Sequence, residues 1–79
     1  MLDEKILEEI YQEKLEERLI EYISERYKID YQSAMELYYN SKLANKIHNG
    51  RYGVQYLDHK VLADILEETE PELIPKADK

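Results

Sequence analysis

The chain has 79 residues, no Cys, and 18 acidic against 11 basic side chains, for a net charge of −7. One small domain is all this length supports, and it buries only about 60–65% of its unfolded surface. The lack of Cys excludes a disulfide framework, a thiolate zinc site and a Cys nucleophile.

The composition is helical. Only two Gly and two Pro occur, and Glu, Lys, Leu and Ile dominate. No apolar run exceeds three residues, too short to span a membrane. The opening Met1-Leu2-Asp3-Glu4-Lys5 lacks a secretory pattern, so the expected location is cytoplasmic.

In chain order, the first predicted helix runs from about Asp3, a candidate N-cap, to Tyr27. Leu2, Ile6, Leu7, Ile10, Tyr11, Leu15, Leu19, Tyr22, Ile23 and Tyr27 recur at steps of three and four, which reads as one apolar stripe. Glu9, Glu13, Glu16, Glu17, Glu21 and Glu25 fall between them and read as the solvated face. Such a helix is about 37 Å long at 1.5 Å per residue. It exceeds the diameter of so small a domain, so part of it should project or pair with a second copy.

Lys28-Ile29-Asp30 breaks the pattern, and Asp30 is suited to cap a second helix. Tyr31, Ala34, Met35, Leu37 and Tyr38 supply its predicted buried side. Ser41 is suited to cap a short third helix holding Leu43, Ala44 and Ile47. Asn49-Gly50 signals a turn, with a hairpin as the less favoured alternative. A last helix begins near Tyr56 to Asp58 and places Leu57, Val61, Leu62, Ile65 and Leu66 on one face. It ends by Thr69, because Pro71 disfavours helix at Glu70. The expected fold is all-α, a small bundle of three to four helices with a long N-terminal helix. Residues 1–70 form one domain, and 71–79 an acidic, frayed tail.

Charge is unevenly spread. Residues 3–25 carry a net −6, residues 26–60 a net +3 and residues 61–79 a net −4. A basic middle between acidic ends bears on partners rather than on fold.

No catalytic pattern stands out, and the chain is read as not an enzyme. His48 lies at a predicted helix end, where a cation meets the negative pole of the dipole. His59 follows Asp58, and neither histidine has metal-ligand spacing to another ligand. Gly50-Arg51-Tyr52-Gly53 is no phosphate loop, and the carboxylates fall on polar faces. No catalytic residue, cofactor or metal is therefore assigned.

Two binding surfaces remain. The eight Tyr carry all the aromatic packing, because the chain has no Phe or Trp. Tyr22, Tyr27, Tyr31 and Tyr38 are expected at the core edge. Tyr39, Tyr52 and Tyr56 flank polar, turn-rich sequence and are candidates for an interface. With Leu7, Tyr11, Leu15 and Leu19 of the first helix they make the predicted partner or dimer surface. A self-complementary homodimer through that helix, antiparallel or crossed, is the favoured assembly. The alternative is a nucleic-acid-binding regulator with a helix-turn-helix look over Asp30 to Gly50. It would present Lys42, Asn45 and Lys46, extended by Arg51 and Lys60. The net charge opposes that alternative.

Ile29, Ala34, Met35, Tyr38-Tyr39-Asn40-Ser41, Tyr52-Gly53-Val54, Tyr56 and Leu62 to Glu68 form a further pattern. Over residues 29–68 the chain resembles a group of short uncharacterised bacterial proteins. Their genes often lie beside toxin–antitoxin modules. The long acidic first helix departs from the shorter start of that group. The resemblance implies no catalytic residues. It implies an antitoxin-like or accessory protein that works by protein–protein interaction.

Overall fold

A computed structural model describes residues 4–49, 53 and 56–75. Four α-helices follow one another: α1 (Glu4–Tyr27), α2 (Tyr31–Tyr39), α3 (Lys42–Asn49) and α4 (His59–Thr69). A 3-10 turn over Pro71–Leu73 closes the described chain. No strand occurs among the described residues, so the fold is an all-α bundle with a long first helix.

The helix starts lie where local capping chemistry puts them. Asp30 accepts from the Ser33 N–H at 3.4 Å, and Asp58 accepts from the Lys60 N–H at 3.1 Å. Ser41 Oγ accepts from the Ala44 N–H at 3.1 Å and so caps α3. Helix α1 stops because Lys28 turns into the left-handed region at φ 57°. The Ile29 N–H then reaches back to the Ser24 carbonyl at 3.0 Å, the six-to-one bond of a Schellman ending. The candidate cap Asp3 and the turn at Gly50 lie outside the described residues.

Helices α2 and α4 pack on α1, and α3 follows α2 after a two-residue break at Asn40-Ser41. The core gathers Leu15, Leu19, Ile20 and Ile23 from α1, Ala34, Leu37 and Tyr38 from α2, Leu43, Ala44 and Ile47 from α3, and Leu62, Ala63 and Leu66 from α4. The molecule is elongated, 51 × 23 × 18 Å, because α1 outruns the helices packed on it.

Several expectations need correction. The tail is not frayed from its start: Leu73 and Ile74 pack against the core, and the 3-10 turn holds them there. Tyr31 is exposed rather than buried, because it opens α2 on the solvent side. Leu57 and Val61 are exposed as well, so the buried face of α4 narrows to Leu62, Ala63 and Leu66. Leu19 has no exposed surface, so it serves the core and is no interface residue. Glu16 is not on the solvated face; it is 6% exposed.

Candidate functional site

The apolar residues of α1 do not form one stripe. Leu19, Ile20 and Ile23 face the bundle and are buried. Ile6, Leu7, Ile10 and Tyr11 keep 45%, 48%, 43% and 44% of their surface exposed. At 3.6 residues per turn, these four lie roughly on the opposite side of the helix from the core residues. On the bundle side of this half the helix is polar. Gln12 donates to the Ile47 carbonyl at 3.0 Å, and Glu8 accepts from the Tyr56 hydroxyl at 3.2 Å. The first half of α1 therefore turns an apolar face away from its own domain.

That face has a definite shape. Leu7, Ile10, Tyr11, Lys14, Leu15 and Arg18 line an open cavity of about 370 Å³. A second hollow of about 300 Å³ adjoins it, between Tyr11, Leu15, Arg18 and the segment Tyr56 to His59. The rings of Tyr11 and Tyr56 meet at 5.8 Å. Of the predicted interface residues, the structure thus brings together Leu7, Tyr11, Leu15 and Tyr56. Leu15 touches the cavity from the core side, with 7% of its surface exposed. Tyr39 lies elsewhere, its ring edge-on to Tyr38 at 5.0 Å. Tyr52 lies outside the described residues. Ile10, which the sequence places on the apolar stripe but not in the predicted interface, lines the cavity as well.

The nucleic-acid candidates divide. Lys42, Asn45 and Lys46 are exposed, and their spacing puts them on one side of α3. Lys60 is exposed in the first turn of α4, and Arg51 lies outside the described residues. The N-terminus of α3 is already occupied. Glu70, 6% exposed, accepts from the Lys42 N–H at 2.9 and 3.0 Å and from the Leu43 N–H at 3.1 Å.

A buried polar centre lies on the other flank of α1. Glu16 Oε2 accepts from the Tyr38 hydroxyl at 2.8 Å and lies 2.7 Å from His48 Nε2. Burial, then the Glu16 hydrogen bond and charge, push the Tyr38 hydroxyl well above the ordinary tyrosine range. His48 does stand in the last turn of α3, as its sequence position predicts, but it also fastens that helix to α1. His59 lies 3.6 Å from Asp58, edge-on to the Tyr22 ring at 5.5 Å. Arg26 fastens α1 to α4 through Asp64 and Glu67, each at 3.0 Å. Tyr27 donates to Glu67 at 2.7 Å, and burial with that bond raises its hydroxyl to about 12. Among the described residues no cluster of three or more His, Asp or Glu is placed to hold a metal. No described helix is long and apolar enough to cross a membrane.

Comparison with protein-family models, with curated proteins and with solved structures finds no match to this chain.

Proposed function

We propose that this chain is a protein–protein interaction module, an antitoxin-like or accessory factor that acts as a homodimer through the first half of α1. The observation that supports it is the apolar face of Ile6, Leu7, Ile10 and Tyr11, turned away from the domain's own core. These four side chains lie outside the core and keep 43–48% of their surface exposed in the monomer. Covering that remainder against a partner is worth about half of the roughly 1.5–3 kcal/mol that full burial of such a side chain gives. Tyr11 and Tyr56 add stiff, amphipathic area beside them. The antitoxin-like part of the reading rests on the resemblance over residues 29–68.

Sedimentation of the wild type and of Ile10→Glu tests it. The wild type is expected at twice its 9.5 kDa mass and Ile10→Glu as a monomer with unchanged helical circular dichroism. A wild type that stays monomeric at every concentration overturns the homodimer.

The second reading is a nucleic-acid-binding regulator, supported by the exposed Lys42, Asn45 and Lys46. Weighing against it, the Glu70 carboxylate sits on the N–H groups where a phosphate would dock on α3. Under this reading Lys42→Glu with Lys46→Glu abolishes a gel shift; under the first it leaves the dimer intact.

A further inference from the structure

Asn40, Asn45 and Asn49 are all exposed, yet the fold treats them differently. Asn40 is the C-cap of α2, and the amide that follows it is engaged: the Ser41 N–H donates to the Tyr38 carbonyl at 3.0 Å. Asn45 lies inside α3, where the next amide, that of Lys46, belongs to the helix's own ladder. Asn49 is the last residue of α3. The two ties that hold this end to α1, Gln12 to the Ile47 carbonyl and Glu16 to His48, stop one residue short of it. Its successor in sequence is Gly50, which has no side chain to shield its backbone nitrogen. We infer that Asn49 is a site of spontaneous deamidation, and that its conversion to a carboxylate loosens the end of α3 on α1.

The reaction balances with water alone. The Gly50 nitrogen attacks Asn49 Cγ and a C–N bond forms. The side-chain amide leaves as ammonia, taking the proton that the backbone nitrogen gives up. Water then opens the cyclic imide at one of its two carbonyls. Opening at the side-chain carbonyl yields aspartate. Opening at the main-chain carbonyl yields isoaspartate, with the chain routed through the side-chain carbon. Ring closure needs a ψ at the asparagine well away from the helical value of about −42°, which the ladder denies Asn45. At the end of a helix such local opening costs little. Either product places a negative charge at the negative pole of α3. It also lies next to the hollow in which His48 already faces Glu9, Glu13 and Glu16.

Peptide mapping by mass spectrometry of the full chain, held at neutral pH and sampled over weeks, reads the site directly. The amide-to-acid mass shift is expected at Asn49 well ahead of Asn40 and Asn45, with isoaspartate among the products. Gly50→Ala should slow it, because a β-carbon crowds the attacking nitrogen. A shift that is absent at Asn49, or that reaches Asn40 or Asn45 first, overturns the inference. So does a rate at Asn49 that Gly50→Ala leaves unchanged. The loosening of α3 has its own readout. Asn49→Asp installs the charge at once, and amide exchange at Ile47 and His48 is expected to quicken about two- to fivefold, the effect of a wrongly signed charge at a helix end. Exchange unchanged from the wild type overturns the loosening and leaves the modification site standing.

Discussion

The hydroxyl of Tyr38 donates a 2.8 Å hydrogen bond to Glu16, and both groups are buried where α2 crosses α1. A carboxylate in that position is tolerable only while it keeps its donors, because a buried charge without partners is strongly destabilising. Tyr38→Phe removes one donor and leaves the shape unchanged. Its expected cost is about 1–3 kcal/mol, the penalty for a buried acceptor left short. Tyr38→Phe with Glu16→Leu should cost less than the sum of the two single changes. Urea denaturation of the four proteins of this double-mutant cycle measures the difference.

Glu70 accepts from the first two N–H groups of α3, 27 and 28 residues upstream. Ser41 already satisfies the Ala44 N–H, so the two caps divide the helix end between them. Glu70→Ala should cost about 2 kcal/mol, in the range of a lost cap and of hydrogen bonds to a charged group. The loss should be local first. Amide exchange at Lys42 and Leu43 should quicken more than at the core positions Ile20 and Ile23. Equal acceleration at all four would refute a capping role for Glu70.

Lys28 holds a left-handed conformation at φ 57°, which costs an L-residue about 1–2 kcal/mol. Glycine relieves that cost and loses part of the gain to its greater freedom in the unfolded chain. Lys28→Gly should therefore stabilise by up to about 1 kcal/mol, a rise in Tm of about 4–8 °C for a domain of this size. Thermal melts of the two proteins decide the point, and a lower Tm for the variant would contradict it.

Two tyrosines set the alkaline limit. The Tyr27 hydroxyl is raised to about 12 by burial and by Glu67, and the Tyr38 hydroxyl is raised further by burial and by Glu16. The native state therefore holds protons that the unfolded chain releases near pH 10. Their contribution is fully present below pH 10 and is lost as pH rises toward 12 and beyond. Helical circular dichroism followed from pH 9 to 12, with phenolate absorbance in parallel, should show unfolding and ionisation together. Tyr27→Phe should flatten the first part of that decline.

The helix boundaries were legible because the signals that set them are local. Asp30, Ser41 and Asp58 stand at the helix starts they cap, and Pro71 follows closely on the end of α4. The two faces of α1 were not separated, because steps of three and four let a stripe drift around the helix unnoticed. The residues from Ile6 to Tyr11 and those from Leu19 to Ile23 satisfy the same spacing and face opposite ways. Buried Glu16 was hidden for a related reason. It opens the polar run Glu16-Glu17-Arg18, and only its spacing of three, four and seven from Leu19, Ile20 and Ile23 places it on the core side. Glu70 had no local signal, because its partners belong to a helix far back in the chain.

That distance has a consequence for how the molecule is made. A chain leaving the ribosome presents α1, α2 and the residues of α3 well before Glu70 emerges. Until then the start of α3 has Ser41 but not the carboxylate, and Leu66 of the core is equally late. The nascent chain can therefore form α1 early and must wait for its last quarter before α3 locks. Throughout that interval the core face of α1 lacks its α4 cover, and the molecule shows apolar surface on both sides of its longest helix.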